Sequence, residues 1–324
     1  MFSLLLSSLL TLVSLNCENL FDCRHDTLKN DTEWTPDGAN HWTRTRYWRK
    51  LNNISREILA CGEASTAHSS WQLPDLVALC EVENDTVLTD LTRRSLLRNA
   101  RYEYVMTDSP DPRGIDVALL YSPFTFRLLS HHAISVKPMK DMHPTRDILY
   151  VSGQLLTGDT LHVFVVHAPS RSGGEHPTEP HRQLVADRLT TAVDSVLALQ
   201  PDARIIACGD FNDYSRNKSI RHIEACGLTD ISKNARGTHG ARATYRYQGE
   251  WGSLDHIFVS PRMAAALTEC SIFDAPYLLE DDNTYGGVKP RRNYLGPRYQ
   301  QGFSDHLPLV ARFQLKFAPA KTAK

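Results

Sequence analysis

Short runs of apolar and β-branched residues recur along the whole chain, separated by polar segments. Runs of about four to eight such residues are typical of β-strands. They predict strands at residues 9–15, 75–79, 102–106, 116–121, 148–155, 161–166, 204–207, 254–259 and 307–313. The run at 161–166 is almost continuously apolar, which indicates a strand whose sheet is covered on both faces.

Two segments instead have helical periodicity, with apolar residues returning at steps of three and four. They predict amphipathic helices at roughly residues 43–59 and 181–199. Together with the strands they predict an α/β fold in which two sheets pack together and the helices lie outside. Segments rich in Pro, Gly and Asp at 109–114, 168–180, 236–251 and 281–301 are predicted loops. None has the composition of a linker, so we expect one domain over residues 1–324, with a core at about 9–315.

Composition narrows the class of protein. The 324 residues are 41% apolar and 23% charged, which is ordinary for a globular protein and excludes disordered and fibrous classes. The formal net charge is -1, from 36 Lys and Arg against 37 Asp and Glu. No global basic field therefore indicates a nucleic-acid ligand, although a local basic patch stays open. Near-neutrality mildly favours a small or locally held substrate.

The cysteines and the first residues bear on the compartment. The 7 cysteines are odd in number and scattered, without the short paired spacing of zinc sites, which favours a reduced compartment such as the cytoplasm.

Residues 1–13 have the apolar character of a signal-peptide core, yet no Lys or Arg precedes them and no small-residue cleavage site follows. The run is also shorter than the roughly 20 apolar residues that cross a bilayer. We interpret 9–15 as a buried strand, with export through an atypical apolar N-terminus as the alternative.

Acidic, amide and imidazole side chains follow several predicted strands directly. Loops at strand ends are where binding and catalytic residues concentrate. In chain order these positions are Asn16, Glu81, His167, Asp210 with Asn212, Asp255, and Asp305 with His306.

This ordered set closely resembles the endonuclease/exonuclease/phosphatase superfamily, the deoxyribonuclease-I-like group, in its bacterial type. The resemblance extends from about residue 16 to residue 313. Gly-Asp-Phe-Asn at 209–212 or Ser-Asp-His at 304–306 is too short to be specific alone, but the order and spacing of the whole set make coincidence an unsatisfactory explanation. The resemblance implies a four-layer α/β sandwich of two packed mixed β-sheets flanked by helices, and a divalent-metal-dependent phosphoesterase.

The resemblance implies a site for Mg²⁺, or for Mn²⁺ in its place. Glu81 would be the principal ligand, Asn16 would lie beside it, and Asp305 occupies a position that can also face the metal. Hard cations of this kind prefer oxygen ligands and keep several waters, so a carboxylate and an amide suffice. Taken alone, Asn16 is more typical of a turn cap, and only the rest of the set favours a metal ligand. Glu83 competes with Glu81, but the family pattern places the ligand at the strand end.

The remaining motif residues are predicted to be catalytic. Asp210 and Asn212 are two apart on an extended segment and can face one side. By the resemblance, Asp210 holds or deprotonates the attacking water and Asn212 orients water and phosphate; the alternative is an Asp-rich turn. Asp255 and His306 resemble the family pair in which a carboxylate supports an imidazolium. His167 stands where deoxyribonuclease-I-type enzymes carry a general acid and exonuclease-III-type enzymes a tyrosine.

Arginines in nearby loops are candidate phosphate contacts. Arg113 and Arg171 can bind phosphate oxygens in bidentate fashion, although most surface arginines have no specific ligand. The last long loop, which leads directly to Asp305 and His306, offers further candidates for substrate contact: Arg291, Arg292, Tyr294, Arg298 and Tyr299. Residues 41–50 mix basic and aromatic side chains as nucleic-acid surfaces do, but they also begin the first helix, and packing is the favoured interpretation.

Three functions compete at this point. The favoured one is a nuclease-like phosphodiesterase that uses metal-assisted in-line attack by water, with a phosphate ester, nucleic acid included, as its partner. The second is a phosphatase or phospholipase-like hydrolase of small or lipid head-group phosphates. The third is a catalytically silent binding protein on the same fold, which requires a damaged catalytic position that the sequence does not contain. No protein partner is implied.

Overall fold

The apolar runs become the strands of two six-stranded sheets in a computed structural model that describes residues 7–63 and 71–317. Every predicted strand is present. The strands of the described residues are β1 (Ser7–Leu20), β2 (Leu76–Val82), β3 (Glu103–Met106), β4 (Asp116–Tyr121), β5 (Phe126–Ile134), β6 (Ile148–Leu155), β7 (Thr160–His167), β8 (Arg204–Asp210), β9 (Thr229–Asp230), β10 (Tyr245–Tyr247), β11 (Glu250–Gly252), β12 (Asp255–Val259), β13 (Leu267–Ile272), β14 (Leu279–Asp281), β15 (Val288–Pro290), β16 (Tyr294–Leu295), β17 (Arg298–Tyr299) and β18 (Leu309–Lys316).

Both large sheets are mixed. The first has the order β13-β18-β1-β2-β4-β3 and the second β5-β6-β7-β8-β12-β9. Only β1 with β2, and β7 with β8, run parallel within them. The other neighbours are antiparallel. The pairs β10–β11, β14–β15 and β16–β17 form separate two-stranded hairpins.

Helices cover the outer faces. The α-helices of the described residues are α1 (Arg44–Ala60), α2 (Asp85–Thr89), α3 (Glu175–Leu199), α4 (Lys218–Ala225) and α5 (Pro261–Ala264). Short 3-10 segments lie at Thr32–Trp34, Leu96–Asn99 and Pro276–Leu278, and a π-helical turn at Asp90–Arg94. Thr43 caps α1, because its hydroxyl accepts the Arg46 N–H at 3.4 Å. None of these helices is long and apolar enough to cross a membrane.

The alternation of side chains along each strand produces four layers. On β1, Leu12 belongs to the core between the sheets, whereas Val13 packs in the outer cluster with Ile54 of α1. On β7, Val163 faces the inter-sheet core and Phe164 packs with α3. Strands buried on both faces explain the nearly continuous apolar runs. The predicted four-layer α/β sandwich is confirmed.

At the periphery, the sequence pattern missed several elements and misplaced the start of one helix. The strands β5 and β13 and the helix α4 were among the elements not predicted. Strand β5 lies at a sheet edge, has a largely exposed face and lacks a clear apolar run. The second long helix begins at Glu175 rather than 181, because Pro177 and Pro180 lie in its first turns, where proline is better tolerated. The predicted loops at 236–251 and 281–301 contain the three small hairpins.

The basic and aromatic segment at 41–50 packs against the protein interior, which was the favoured interpretation of its sequence. The indole N–H of Trp42, which is fully buried, donates to the Phe21 carbonyl oxygen at 2.9 Å. The buried Lys50 ammonium donates to the Phe303 carbonyl oxygen. These contacts tie α1 and the segment just before it to the chain just after β1 and to the loop that leads to Asp305 and His306.

Candidate active site

Strand register brings the predicted residues of the second sheet together. His167, the last residue of β7, pairs with Asp210, the last residue of β8. Asp255, the first residue of the antiparallel β12, pairs with the same Asp210. Side chains of directly paired residues project from the same face of a sheet. Asp210 therefore lies between an imidazole and a second carboxylate.

Asp210 is also the point at which the two sheets meet. The Asn16 amide, on β1 of the first sheet, donates to Asp210 Oδ2 at 3.0 Å. The Asn212 backbone N–H donates to Asp210 Oδ1 at 2.9 Å. Burial raises the pKa of Asp210 to about 7, although His306 and both hydrogen bonds oppose the shift. A carboxyl group with a pKa near neutrality can accept and release a proton at physiological pH.

His306 and Asp255 form a buried pair. His306 Nδ1 lies 2.7 Å from Asp255 Oδ2, and Nε2 lies 4.0 Å from Asp210 Oδ2. Burial disfavours the charged ring, but Asp255 outweighs it and holds the pKa of His306 well above its usual value. The Ser304 hydroxyl accepts the His306 N–H at 3.1 Å and donates to the Asn16 carbonyl oxygen at 2.6 Å. The imidazolium is thus fixed against both sheets.

The pKa of His167 is shifted in the opposite direction from that of His306. Burial, with Arg146, Arg113 and His306 nearby, holds the pKa of its ring well below the usual value. Its Nε2 lies 3.7 Å from Asp210 Oδ2, and its Nδ1 has no hydrogen-bond partner among the described residues. The Arg146 guanidinium fixes the strand end by donating to the His167 carbonyl oxygen at 3.2 Å. The cluster therefore combines a cationic ring with a neutral ring.

The candidate metal ligands lie at the ends of β1 and β2. Glu81 has a positive φ of 63°, and the pairing of β2 with β4 shifts register between Cys80 and Val82. Such a bulge redirects a side chain, and the Glu81 carboxylate accepts the Asn19 N–H at 2.8 Å at the edge of the cleft. Glu83 lines a different cavity, so the structure separates the two acids.

The oxygens of these residues suit a hard divalent cation. Glu81 and Asn16 both line the cleft and offer a carboxylate and an amide oxygen, the donors that Mg²⁺ prefers. Asp305 lines it too, with its carboxylate paired to Arg292 Nη2 at 3.0 Å.

A second acidic set is also compact. Asp210, Asp255 and His306 bring potential ligand atoms within 4.8 Å of one another. In the free protein the raised pKa of His306 favours the protonated ring, so these residues form an ion-pair network.

One cleft of about 590 Å³ collects nearly all of the predicted residues. Asp255 alone among them is absent from its lining and lies behind His306. The predicted residues that line it are Asn16, Glu81, Arg113, His167, Arg171, Asp210, Asn212, Asp305 and His306. Arg113 is partly exposed, and Arg171 is paired with Glu175.

Other residues of the cleft were not predicted. Tyr214, Tyr245, Tyr247 and Leu254 complete its wall. The alternation Tyr-Arg-Tyr before Gln248-Gly249 was the available signal for a hairpin here, since a residue pair ending in glycine is typical of a tight β-turn.

Arg292 has a structural role that sequence alone did not indicate. Besides Asp305, its Nε lies 3.5 Å from Glu18 Oε1. The buried Glu18 carboxylate in turn accepts the backbone N–H groups of Asn293 at 2.6 Å and Tyr294 at 3.1 Å. These contacts hold the last long loop against β1. The guanidinium lines the cleft and is engaged by two carboxylates, so a substrate contact at Arg292 stays a prediction.

Two mixed six-stranded sheets in a helix-flanked sandwich, with polar residues gathered at the strand ends, define the deoxyribonuclease-I-like class of fold. Residues 11–315 match the Endonuclease/Exonuclease/phosphatase family, and the chain belongs to that family. The recognition made from the motifs is thereby confirmed. No curated protein is similar enough in sequence to count as a match.

Solved structures share the fold at low sequence identity. An endonuclease/exonuclease/phosphatase family protein from Bacteroides thetaiotaomicron is 16% identical, with a TM-score of 0.61 over 96% of this chain and 99% of that chain. A mannosyl-6-phosphatase from the same species is 17% identical, with a TM-score of 0.61 over 93% and 98%. The human nocturnin catalytic domain with bound sulfate is 19% identical, with a TM-score of 0.57 over 95% and 97%. These likenesses show the fold alone.

Proposed function

We propose that the protein is a divalent-metal-dependent phosphodiesterase, nuclease-like in its chemistry, that hydrolyses its substrate by in-line attack of water. The observation that carries the proposal is the buried cluster of Asp210, Asp255 and His306, joined to Asn16 across the two sheets. It combines a proton acceptor with a cationic ring at the floor of a cleft.

The reaction requires three things of the protein. A phosphate ester resists attack because its anionic oxygens repel nucleophiles, so charge must be neutralised, a water oriented and the leaving oxygen protonated. Asp210 takes the proton of the attacking water, for which a pKa of about 7 is suited. Asn212 orients the water and the phosphate, and its side-chain amide is held by donation to the Ala168 carbonyl oxygen at 3.0 Å.

The two imidazoles have different roles in the reaction. His306 stabilises the negative charge that develops on the phosphate, because Asp255 keeps its ring protonated. His167 is neutral in the free protein and lies at the same floor, where it donates a hydrogen bond toward the phosphate or the leaving oxygen. A bound phosphate anion raises the pKa of a neighbouring imidazole and thereby favours proton donation.

Glu81 and Asn16 would hold the metal ion, with Asp305 as a third oxygen ligand. When bound, Mg²⁺ supplies Lewis-acid neutralisation of the phosphate oxygens. Asp305 stays oriented through Arg292. Arg113 and Arg171 supply positive charge at the cleft, in keeping with an anionic substrate.

The size of the cleft is compatible with a diester. A volume of about 590 Å³ is within the range of small-molecule sites. The resemblance to a mannosyl-6-phosphatase lies in the fold and keeps a monoester as the competing substrate.

The test compares bis-4-nitrophenyl phosphate with 4-nitrophenyl phosphate, each assayed with Mg²⁺, with Mn²⁺ and with a chelator. We expect metal-dependent hydrolysis with a higher kcat/KM on the diester. A higher kcat/KM on the monoester would make the protein a phosphatase. No hydrolysis of either ester in any condition would contradict the proposal and favour the silent binding protein.

A further inference from the structure

A hairpin carrying two tyrosines forms one wall of the cleft. Strand β10 pairs antiparallel with β11, with Tyr245 opposite Gly252 and Tyr247 opposite Glu250. Gln248 and Gly249 form the tight turn, with φ of 48° and 86°. Because side chains alternate along a strand, Tyr245 and Tyr247 project to the same side, and both line the cleft.

The opposite side of the hairpin is fixed by Arg246. Its Nε donates to the Gly249 carbonyl oxygen at 3.0 Å and its Nη2 to that of Gly286 at 2.7 Å. Its Nη1 donates to the Val288 carbonyl oxygen. The guanidinium thus joins the turn to the neighbouring β14–β15 hairpin, so the tyrosines stand on a rigid wall. A preorganised wall lowers the entropic cost of binding a ligand.

The tyrosines of the cleft differ in what covers their rings. Tyr245 packs on His306 with ring centroids 4.9 Å apart, and Tyr214 is covered by the Arg171 guanidinium at 4.3 Å. Tyr247 is 60% exposed and has no aromatic or cationic ring partner among residues 7–63 and 71–317. Within the described part of the chain, its hydroxyl accepts one long hydrogen bond, 3.4 Å, from the adjacent Gln248. The face of this ring is therefore available to a flat ligand in the cleft.

The position of Tyr247 relative to the reactive centre is set by strand geometry. Two residues along a strand span roughly 7 Å. Tyr245 contacts His306 directly, and Tyr247, one such step further along the strand, lines the same cleft. This separation suits a ligand ring joined to the phosphate through a group the size of a sugar. An acyl chain would instead favour an aliphatic wall.

We propose that Tyr247 forms an aromatic subsite that stacks the base of a nucleoside phosphodiester next to the scissile phosphate. The inference rests on the proposed function and narrows its substrate to esters with a planar ring. Stacking on tyrosine is tolerant of base identity, because every base has a π-face. Arg113 and Arg171, in the same cleft, suit the phosphate groups of such a substrate.

The test uses two esters that release the same 4-nitrophenolate: thymidine 5′-(4-nitrophenyl phosphate) and ethyl 4-nitrophenyl phosphate. The measured quantity is the ratio of their kcat/KM values with Mg²⁺. We expect the wild type to prefer the thymidine ester by about tenfold or more, as one stacked base would provide. Tyr247→Ala should bring the ratio close to one, whereas Tyr247→Phe should keep the preference.

Tyr285 offers a matched control, since it is 57% exposed, lies near the same turn and does not line the cleft. Tyr285→Ala should leave the ratio unchanged. A wild-type ratio near one, or an equal preference in Tyr247→Ala, would overturn the subsite while leaving the phosphodiesterase intact. If neither ester is hydrolysed, the proposed function fails instead. Calorimetry of thymidine 5′-monophosphate with Mg²⁺ then decides the subsite: weaker binding to Tyr247→Ala than to wild type supports it, and equal binding refutes it.

Discussion

Two histidines on either side of Asp210 acquire opposite charge states from their surroundings. His306 gains a carboxylate partner at 2.7 Å, which holds its pKa high. His167 is buried near arginines, which hold its pKa low. Pairs of titratable groups driven apart in this way are typical of acid–base sites. The sequence places both rings at strand ends, but their charge depends on neighbours distant in the chain.

The first prediction concerns His306. His306→Ala removes the cation and should lower kcat on bis-4-nitrophenyl phosphate by about 100-fold or more, since charge stabilisation of that kind contributes on this scale. Steady-state kinetics with circular dichroism as the folding control measures it. His176→Ala is the matched variant, because that side chain is 92% exposed. Wild-type turnover by a folded His306→Ala protein would contradict the role.

The second prediction separates two neighbouring acids. Glu81 lines the cleft, whereas Glu83 lines another cavity, where its carboxylate accepts the Asp22 N–H at 2.6 Å. Glu81→Gln should raise the Mg²⁺ concentration for half-maximal activity by at least about tenfold, the effect expected for even an outer-shell change.

Glu83→Gln should leave that concentration within error of the wild type. A titration of activity against Mg²⁺ measures both variants. If the two variants shift it equally, or if only Glu83→Gln does, the ligand assignment is wrong.

At the scale of elements, a buried histidine joins three segments behind the site. His256, on β12, has Nδ1 2.8 Å from Asp230 Oδ2 on β9 and Nε2 2.9 Å from the Asp213 carbonyl oxygen. Both partners only accept hydrogen bonds, so both ring nitrogens must carry protons. Burial opposes this charge, but Asp230 outweighs it and raises the pKa of His256. The imidazolium thereby holds the turn after Asp210 against the sheet.

The third prediction follows from this raised pKa. The stabilisation from charged His256 is fully present below the unfolded-state pKa of about 6.5 and is lost as pH rises through the higher folded-state pKa. The free energy of unfolding, measured by urea titration, should therefore fall more between pH 6 and pH 9 in the wild type than in His256→Gln. Equal pH dependence in the two proteins would show that this ring is not charged in the folded state.

Which elements the sequence predicts depends on where they lie. Central strands such as β7 and β8 are buried on both faces and leave an unbroken apolar signal. The edge strand β5 and the small hairpin β10–β11 are partly exposed and leave only a weak apolar signal in the sequence. One wall of the cleft is built from the second kind, so Tyr247 was missed although the motifs at the ends of the central strands were recognised.

At the scale of the molecule, the site exists because two sheets pack face to face. The Asn16–Asp210 hydrogen bond joins residues 194 positions apart, on different sheets. Motif order predicted most of the residues that gather at the cleft, because each motif follows a strand. It could not predict the pairing of Arg292 with Asp305 or the direction of the pKa shifts, because these depend on distances between loops. The net charge of -1 likewise conceals the arginines in the cleft.

The central claim is that Asp210 and a bound divalent cation together hydrolyse a phosphodiester. The most direct measurement is the initial rate on bis-4-nitrophenyl phosphate for wild type with Mg²⁺, wild type with chelator, and Asp210→Asn with Mg²⁺. We predict rapid hydrolysis by the wild type with Mg²⁺. The initial rates of the wild type with chelator and of Asp210→Asn should be lower by about 100-fold or more. Equal rates with and without chelator, or wild-type turnover by Asp210→Asn, would contradict the account.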